Sequence, residues 1–276
     1  MGNQFSSFYR FLFFLFLISL ISAGAVLLGV SSQFFVWEFS FDGKVMLFAL
    51  LLVIFIRKYL WSFSLEKYGA FHWDFGVNIL AFLFPIVILV LTICTGYLMG
   101  KITFEGGDDA ATLLLATLFD IPAAYVFSIA IILVEELIFR GFVFEHISQE
   151  NGIFKSALIT SMIWTVANAD KFGQVGSLSF YIIFAELLNV FSIGLLCSAV
   201  YCHTKSIWPG YSFRIGLLVF SSAMLASDVT ETSGVFYTEV HALSNNGLLF
   251  SVIAIIFASC LFIFSKKGKI PQIPAI

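Results

Sequence analysis

Glu135-Glu136-Leu137-Ile138-Phe139-Arg140-Gly141 sets two adjacent carboxylates and an arginine inside a hydrophobic run, and residues 125–134 before it carry no charge. Ionised groups at membrane depth are costly, so they face a protein interior and serve a purpose. Glu136 and Arg140 lie four apart with the acid first, the favoured order for a helical ion pair. Glu135 lies about 100° round the helix from Glu136 and has no such local partner. Two kinds of chemistry fit this spacing. The plainer is a structural ion pair with a spare acid beside it. The sharper is a catalytic carboxylate, a general base steadied by that pair. Two more polar residues sit in apolar runs: Asn168, closing Met162-Ile163-Trp164-Thr165-Val166-Ala167-Asn168, and Arg214, in Trp208-Pro209-Gly210-Tyr211-Ser212-Phe213-Arg214. Arg214 lies roughly 12 Å into its run, too deep to snorkel without meeting an acid. Glu135 is the acid without a local i,i+4 partner, and Glu186 competes for the role. His72, His146, His203 and His241 all fall outside the middle of the apolar runs.

The elements that must carry these residues are membrane helices. Of the 276 residues 60% are hydrophobic and 11% charged, the balance of a polytopic membrane protein. The 35 phenylalanines read as lipid-facing and interhelical filler. Cys94, Cys197, Cys202 and Cys260 fall in or at the ends of apolar runs without metal-ligand spacing, and read as small hydrophobes. Eight apolar spans follow along the chain: 9–30, 45–61, 77–99, 119–147, 153–171, 177–202, 207–227 and 247–265. Arg57 and Lys58 shorten the second. Ala23-Gly24-Ala25 in the first imitates a cleavage site, but the apolar run continues to Val30, which favours an uncleaved helix.

Charge sets the orientation. Arg10 precedes the first span; Arg57, Lys58 and Lys67 follow the second; Lys155 and Lys205 fall in the turns after the fourth and sixth; Lys266, Lys267 and Lys269 close the chain. The alternate loops hold Lys44, Lys101 and Lys171 but are mainly acidic, with Glu38, Asp42, Glu105, Asp108, Asp109, Asp228, Glu231 and Glu239. The fold class expected is therefore all-α, one integral membrane domain over 1–276 with about eight transmembrane helices and both termini cytoplasmic. Gln149-Glu150-Asn151-Gly152 is a helix stop and turn. Folding the fourth and fifth spans about it brings Asn168 level with Glu135, both roughly 20–25 Å above the turn.

These residues resemble the CPBP family of intramembrane proteases, which includes the type II CAAX prenyl endopeptidases and proteins linked to bacteriocin processing and immunity. The resemblance covers a core at 118–220. The family's first motif, Glu-Glu-x-x-x-Arg, matches at Glu135, Glu136 and Arg140, followed by the usual Gly141. The second, an aromatic followed four residues on by His, reads Trp164 to Asn168. The third follows a Thr-Gly-Ser-hydrophobic-x-Pro turn, here Thr204-Lys205-Ser206-Ile207-Trp208-Pro209; its His falls on Arg214 and its Asn on Leu218.

The resemblance implies that the first Glu activates a water while the histidines bind a metal or stabilise the oxyanion. A catalytic zinc needs about three protein ligands, usually with His among them. Glu135, Asn168, Arg214 and Leu218 do not supply that set, so neither a metal nor a cofactor is expected. A metal-free route would use Glu135 as base with Asn168 and Arg214 as donors to the tetrahedral intermediate. Yet an arginine beside Glu135 weakens it as a base, and replacing His by Arg resembles conversion of an active site into an ion pair. The leading expectation is a degenerate CPBP-like protease, a pseudoprotease that binds a membrane-embedded or membrane-proximal protein or peptide as scaffold, regulator or immunity-type factor. The first alternative is an active glutamate-dependent intramembrane endopeptidase with a rearranged site; the second is a transporter or channel subunit whose polar pathway holds Glu135, Glu186 and Arg214. The expected surroundings are the lipid bilayer of a bacterial plasma membrane, with no nucleic-acid partner.

Overall fold

The computed structural model describes residues 2–27, 33–36, 39–42, 47–51, 53–54, 69–104, 122, 126, 129–168, 180–226, 236–237 and 247–267. Helix α1 runs Gly2–Leu27, without a break at Ala23-Gly24-Ala25. Strands β1 (Gln33–Val36) and β2 (Phe39–Asp42) pair antiparallel, Gln33 opposite Asp42. Helix α2 spans Phe75–Leu98 and leads to β3 (Thr103–Phe104). The helical rod α3, 129–151, alternates wide π turns at Ile129–Leu133 and Leu137–Phe144 with α turns at Val134–Glu136 and Glu145–Asn151. Helices α4 (Ile153–Ala167), α5 (Phe180–Thr204) and α6 (Trp208–Met224) follow. Strands β4 (Leu225–Ala226) and β5 (Phe236–Tyr237) then lead to α7 (Leu248–Lys267). Arg57, Lys58, Lys67 and most of the second expected span lie outside the described residues, as do Lys171, His241 and the acidic residues 105–109 and 228–239.

Among the described residues, α2 and α5 are long and apolar enough to cross a membrane. The surface agrees. On α2 the exposed residues include Leu80, Leu83, Val87, Leu91 and Leu98, while Asn78, Thr92 and Gly96 are buried. A surface more apolar than parts of the interior suits lipid rather than water. Several hydroxyls in these helices are satisfied by their own backbone. Ser19, Thr92, Ser161, Thr165, Ser198 and Ser251 each donate to the carbonyl four residues back, so their hydroxyls need no water.

Helix α5 packs against α4, α6 and α7, and α2 packs against α6. Small buried residues on α5 (Ser192, Gly194, Cys197, Ser198 and Ala199) let neighbouring helices approach closely. Helices α2 and α6 run parallel: Trp73 meets Trp208 at the start, and further on a methyl on Gly216 would collide with the Phe82 carbonyl. Pro85, three residues beyond Phe82, removes one helical N–H and loosens the α2 backbone near this contact.

The short strands gather connections at one end of the bundle. β5 pairs antiparallel with β3, which follows α2, and parallel with β4, which follows α6. Opposite ends of those helices meet at the other pole. There Ile207 N donates to Gly69 O at 3.4 Å, Trp208 Nε1 to Ala70 O at 2.7 Å, and Ser206 Oγ to His72 O. The described residues that follow α2 and α6 thus share one end, and those that precede them share the other.

Candidate functional site

Glu135 and Glu136 sit on the short α turn between the two wide turns of α3. Each wide turn carries its hydrogen bonds one residue further than an α turn, a departure often found at functional positions. The rod stops at Gly152, whose φ of 72° and ψ of 159° suit glycine, and α4 starts at once in the return direction. That reversal lays α4 beside the carboxylates. Helix α6 arrives from the other side through Pro209 and Gly210, proline being tolerated in a first turn where its missing N–H has no helical partner.

Glu135, Glu136, Arg140 and Asn168 are at most 2% exposed. Arg214 bridges both acids: Nη2 lies 2.6 Å from Glu135 Oε2, and Nη1 lies 3.2 Å from Glu136 Oε1. The Trp164 indole N–H donates to the same Glu135 Oε2 at 3.4 Å, and its ring lies 4.6 Å from the Arg140 guanidinium and 5.0 Å from that of Arg214. Both arginines therefore gain cation–π attraction from the one indole. Two acids and two arginines make the cluster neutral.

The local pair read from the i,i+4 spacing turns out to be the weaker one. Arg140 Nη1 stands 3.5 Å from Glu136 Oε1, while its Nη2 donates to the Gly194 carbonyl of α5 at 3.1 Å. The wide turn at Leu137–Phe144 changes the register that a regular α-helix would impose, and Arg140 reaches across to α5. Glu136 consequently has its closer cation in Arg214. Its other oxygen, Oε2, faces Gly210 at the positive end of α6.

Asn168 ends α4. Its Nδ2 donates to the Trp164 carbonyl at 2.9 Å, and its Oδ1 is buried without a hydrogen-bond partner among the described residues. The contact from α4 to Glu135 thus comes from Trp164, one turn before Asn168. Leu218, where the third motif would place Asn, is 54% exposed. Trp164, the aromatic of the second motif, completes the site together with Gly194 and Gly210, none of which was expected as a site residue. The spacing of Trp164 to Asn168, four residues on a helix, was the available signal for the first. A Cβ on Gly194 would come within 2.9 Å of the Trp164 ring, so that glycine makes room for the stacked arginine and indole.

A base needs a carboxylate oxygen open to water, and an oxyanion needs donors that are not already spent. Here Glu135 Oε2 accepts from Arg214 and Trp164, and the closest donors of Arg214 and Asn168 are engaged. The motif positions provide two carboxylates, both engaged by Arg214, and no imidazole, a donor set that does not fit a transition metal. Among the described residues no three His, Cys, Asp or Glu side chains gather as metal ligands.

Residues 115–220 match the family model of the type II CAAX prenyl endopeptidase Rce1-like proteins. The recognition of the CPBP family in this stretch holds, and it covers every residue of the ion-paired cluster. No curated protein matches the chain. That stretch is similar to CAAX-protease-like proteins, and it sits in a mainly helical structure in which α2 and α5, among the described residues, are long and apolar enough to cross a membrane.

Proposed function

With the 115–220 segment recognised as CPBP-type, we propose that this protein keeps the intramembrane protease architecture but uses it to bind. Its former catalytic centre is a structural ion-paired cluster, and its partner is a membrane-embedded or membrane-proximal protein or peptide, held as by a scaffold, regulator or immunity-type factor. The observation that carries this reading is Arg214 in contact with both Glu135 and Glu136. An arginine so placed ties both carboxylates into ion pairs and occupies the face from which a base would take a proton.

The reading includes eight spans with both termini cytoplasmic, in the plasma membrane of a bacterium. Its support is the alternation of basic and acidic loops, together with the gathering of alternate connections at opposite ends of the bundle.

The test is made in cells that depend on the protein. Under this reading, partner function follows the amount of folded protein: Glu135→Gln lowers both, and adding Arg214→Ala restores part of both without any carboxylate at 135. A Glu135→Gln protein that is present at parental levels, loses all activity and accumulates an uncut substrate would show a working endopeptidase instead.

A further inference from the structure

Among the described residues, Lys205 is the one non-glycine residue in the left-handed region, with φ at 51°. A side chain makes that conformation unfavourable, and the turn that resembles this one carries glycine at the same place. The side chain supplies the compensation. Lys205 Nζ stands 3.0 Å from Glu145 Oε1 and lies over the Tyr201 ring at 5.6 Å.

Glu145 belongs to the same rod as the two buried acids. Following α3 back from Glu145 through Glu136 to Glu135, the opposing strand of contacts reads Lys205, Gly210, Arg214. The α5–α6 turn and α6 thus lie antiparallel to α3, joined at two points about 15 Å apart along the rod. The backbone at Lys205 sets the angle at which α6 departs from α5, and that angle decides where Arg214 arrives.

We propose that Lys205 is a positioning residue: its ion pair with Glu145 is the outer rung of a ladder that seats Arg214 on Glu135 and Glu136. The outer rung is the half-exposed one, with side chains 36% and 21% accessible, whereas the inner acids are buried. Water, salt and any partner at this end of the bundle reach the ladder there first. The proposal rests on the ion-paired reading of the inner site.

The experiment is thermal unfolding of the full chain in detergent, with Arg214→Ala introduced into the parent, Glu145→Gln, Lys205→Gly and Lys205→Arg proteins. Substitutions more than about 7–10 Å apart with no shared partner combine additively. If Lys205 seats Arg214, the drop in midpoint caused by Arg214→Ala is clearly smaller in the Glu145→Gln and Lys205→Gly backgrounds than in the parent. Lys205→Arg, which keeps the charge, retains the parental drop. Should Lys205→Gly fail to fold, Glu145→Gln carries the comparison, since it leaves the backbone unchanged. Equal drops in all four backgrounds overturn the proposal. A parent in which Arg214→Ala causes no drop overturns the ion-paired reading itself, an outcome distinct from additivity.

Discussion

At Gly210 the α6 backbone comes so close to Glu136 that a methyl built there would stand 2.6 Å from Oε2. Gly210→Ala must therefore push apart the α6 start and the carboxylate, in a core with little freedom to yield. The expected cost is about 1–3 kcal/mol, typical of overpacking, read as a lower denaturation midpoint; an unchanged midpoint would mean that the contact is looser than described. This glycine does not stand out in the sequence, because glycines are ordinary in apolar runs, and Trp164 stands out only as the aromatic of the second motif. Glu135, Glu136, Arg140 and Arg214 do stand out, since charge in such a run is expensive and visible. What spacing could not reveal is the sharing of Arg214 between both acids. The Glu136–Arg140 spacing suggested a closed local pair, and the wide turns of α3 redirect Arg140 to the Gly194 carbonyl.

Among the elements, the α3–α4 hairpin was the most legible, because Asn151-Gly152 interrupts an otherwise continuous apolar stretch. Gly152 adopts φ 72° and ψ 159°, a region used almost only by glycine, and nothing lies within 4 Å of where a Cβ would be. Gly152→Ala thus isolates backbone strain from packing. It should cost about 1–3 kcal/mol, seen as a fall in thermal stability with the Glu–Arg cluster intact; a neutral outcome would show that the turn relaxes into another geometry. The π turns were not legible at all. A run that is apolar on every side has no hydrophobic period from which a wider turn could be read. The short strands were missed for a related reason: two-residue pairings such as Thr103 with Tyr237 depend on where helices end, not on any local alternation.

For the molecule as a whole, the orientation proposed from charge alternation puts residues 228–245 outside, while the pairing of β3, β4 and β5 shows only that the ends of α2 and α6 lie together. Single cysteines introduced in 228–245, in a background without the four native ones, should react with an impermeant thiol reagent added to intact cells; labelling only after the membrane is opened would reverse the orientation. Stability is the other property of the whole molecule, and it bears on the central claim that the site is a buried ion pair and not a base awaiting water. Removing one partner of such a pair leaves the survivor charged and buried, at a typical cost of about 3–5 kcal/mol. The most direct measurement is the thermal unfolding of purified Glu135→Gln, Arg214→Ala and the double mutant in one detergent. Each single substitution should lower the midpoint, and the double should recover part of the loss. A Glu135→Gln protein that unfolds at or above the parental midpoint would contradict the account.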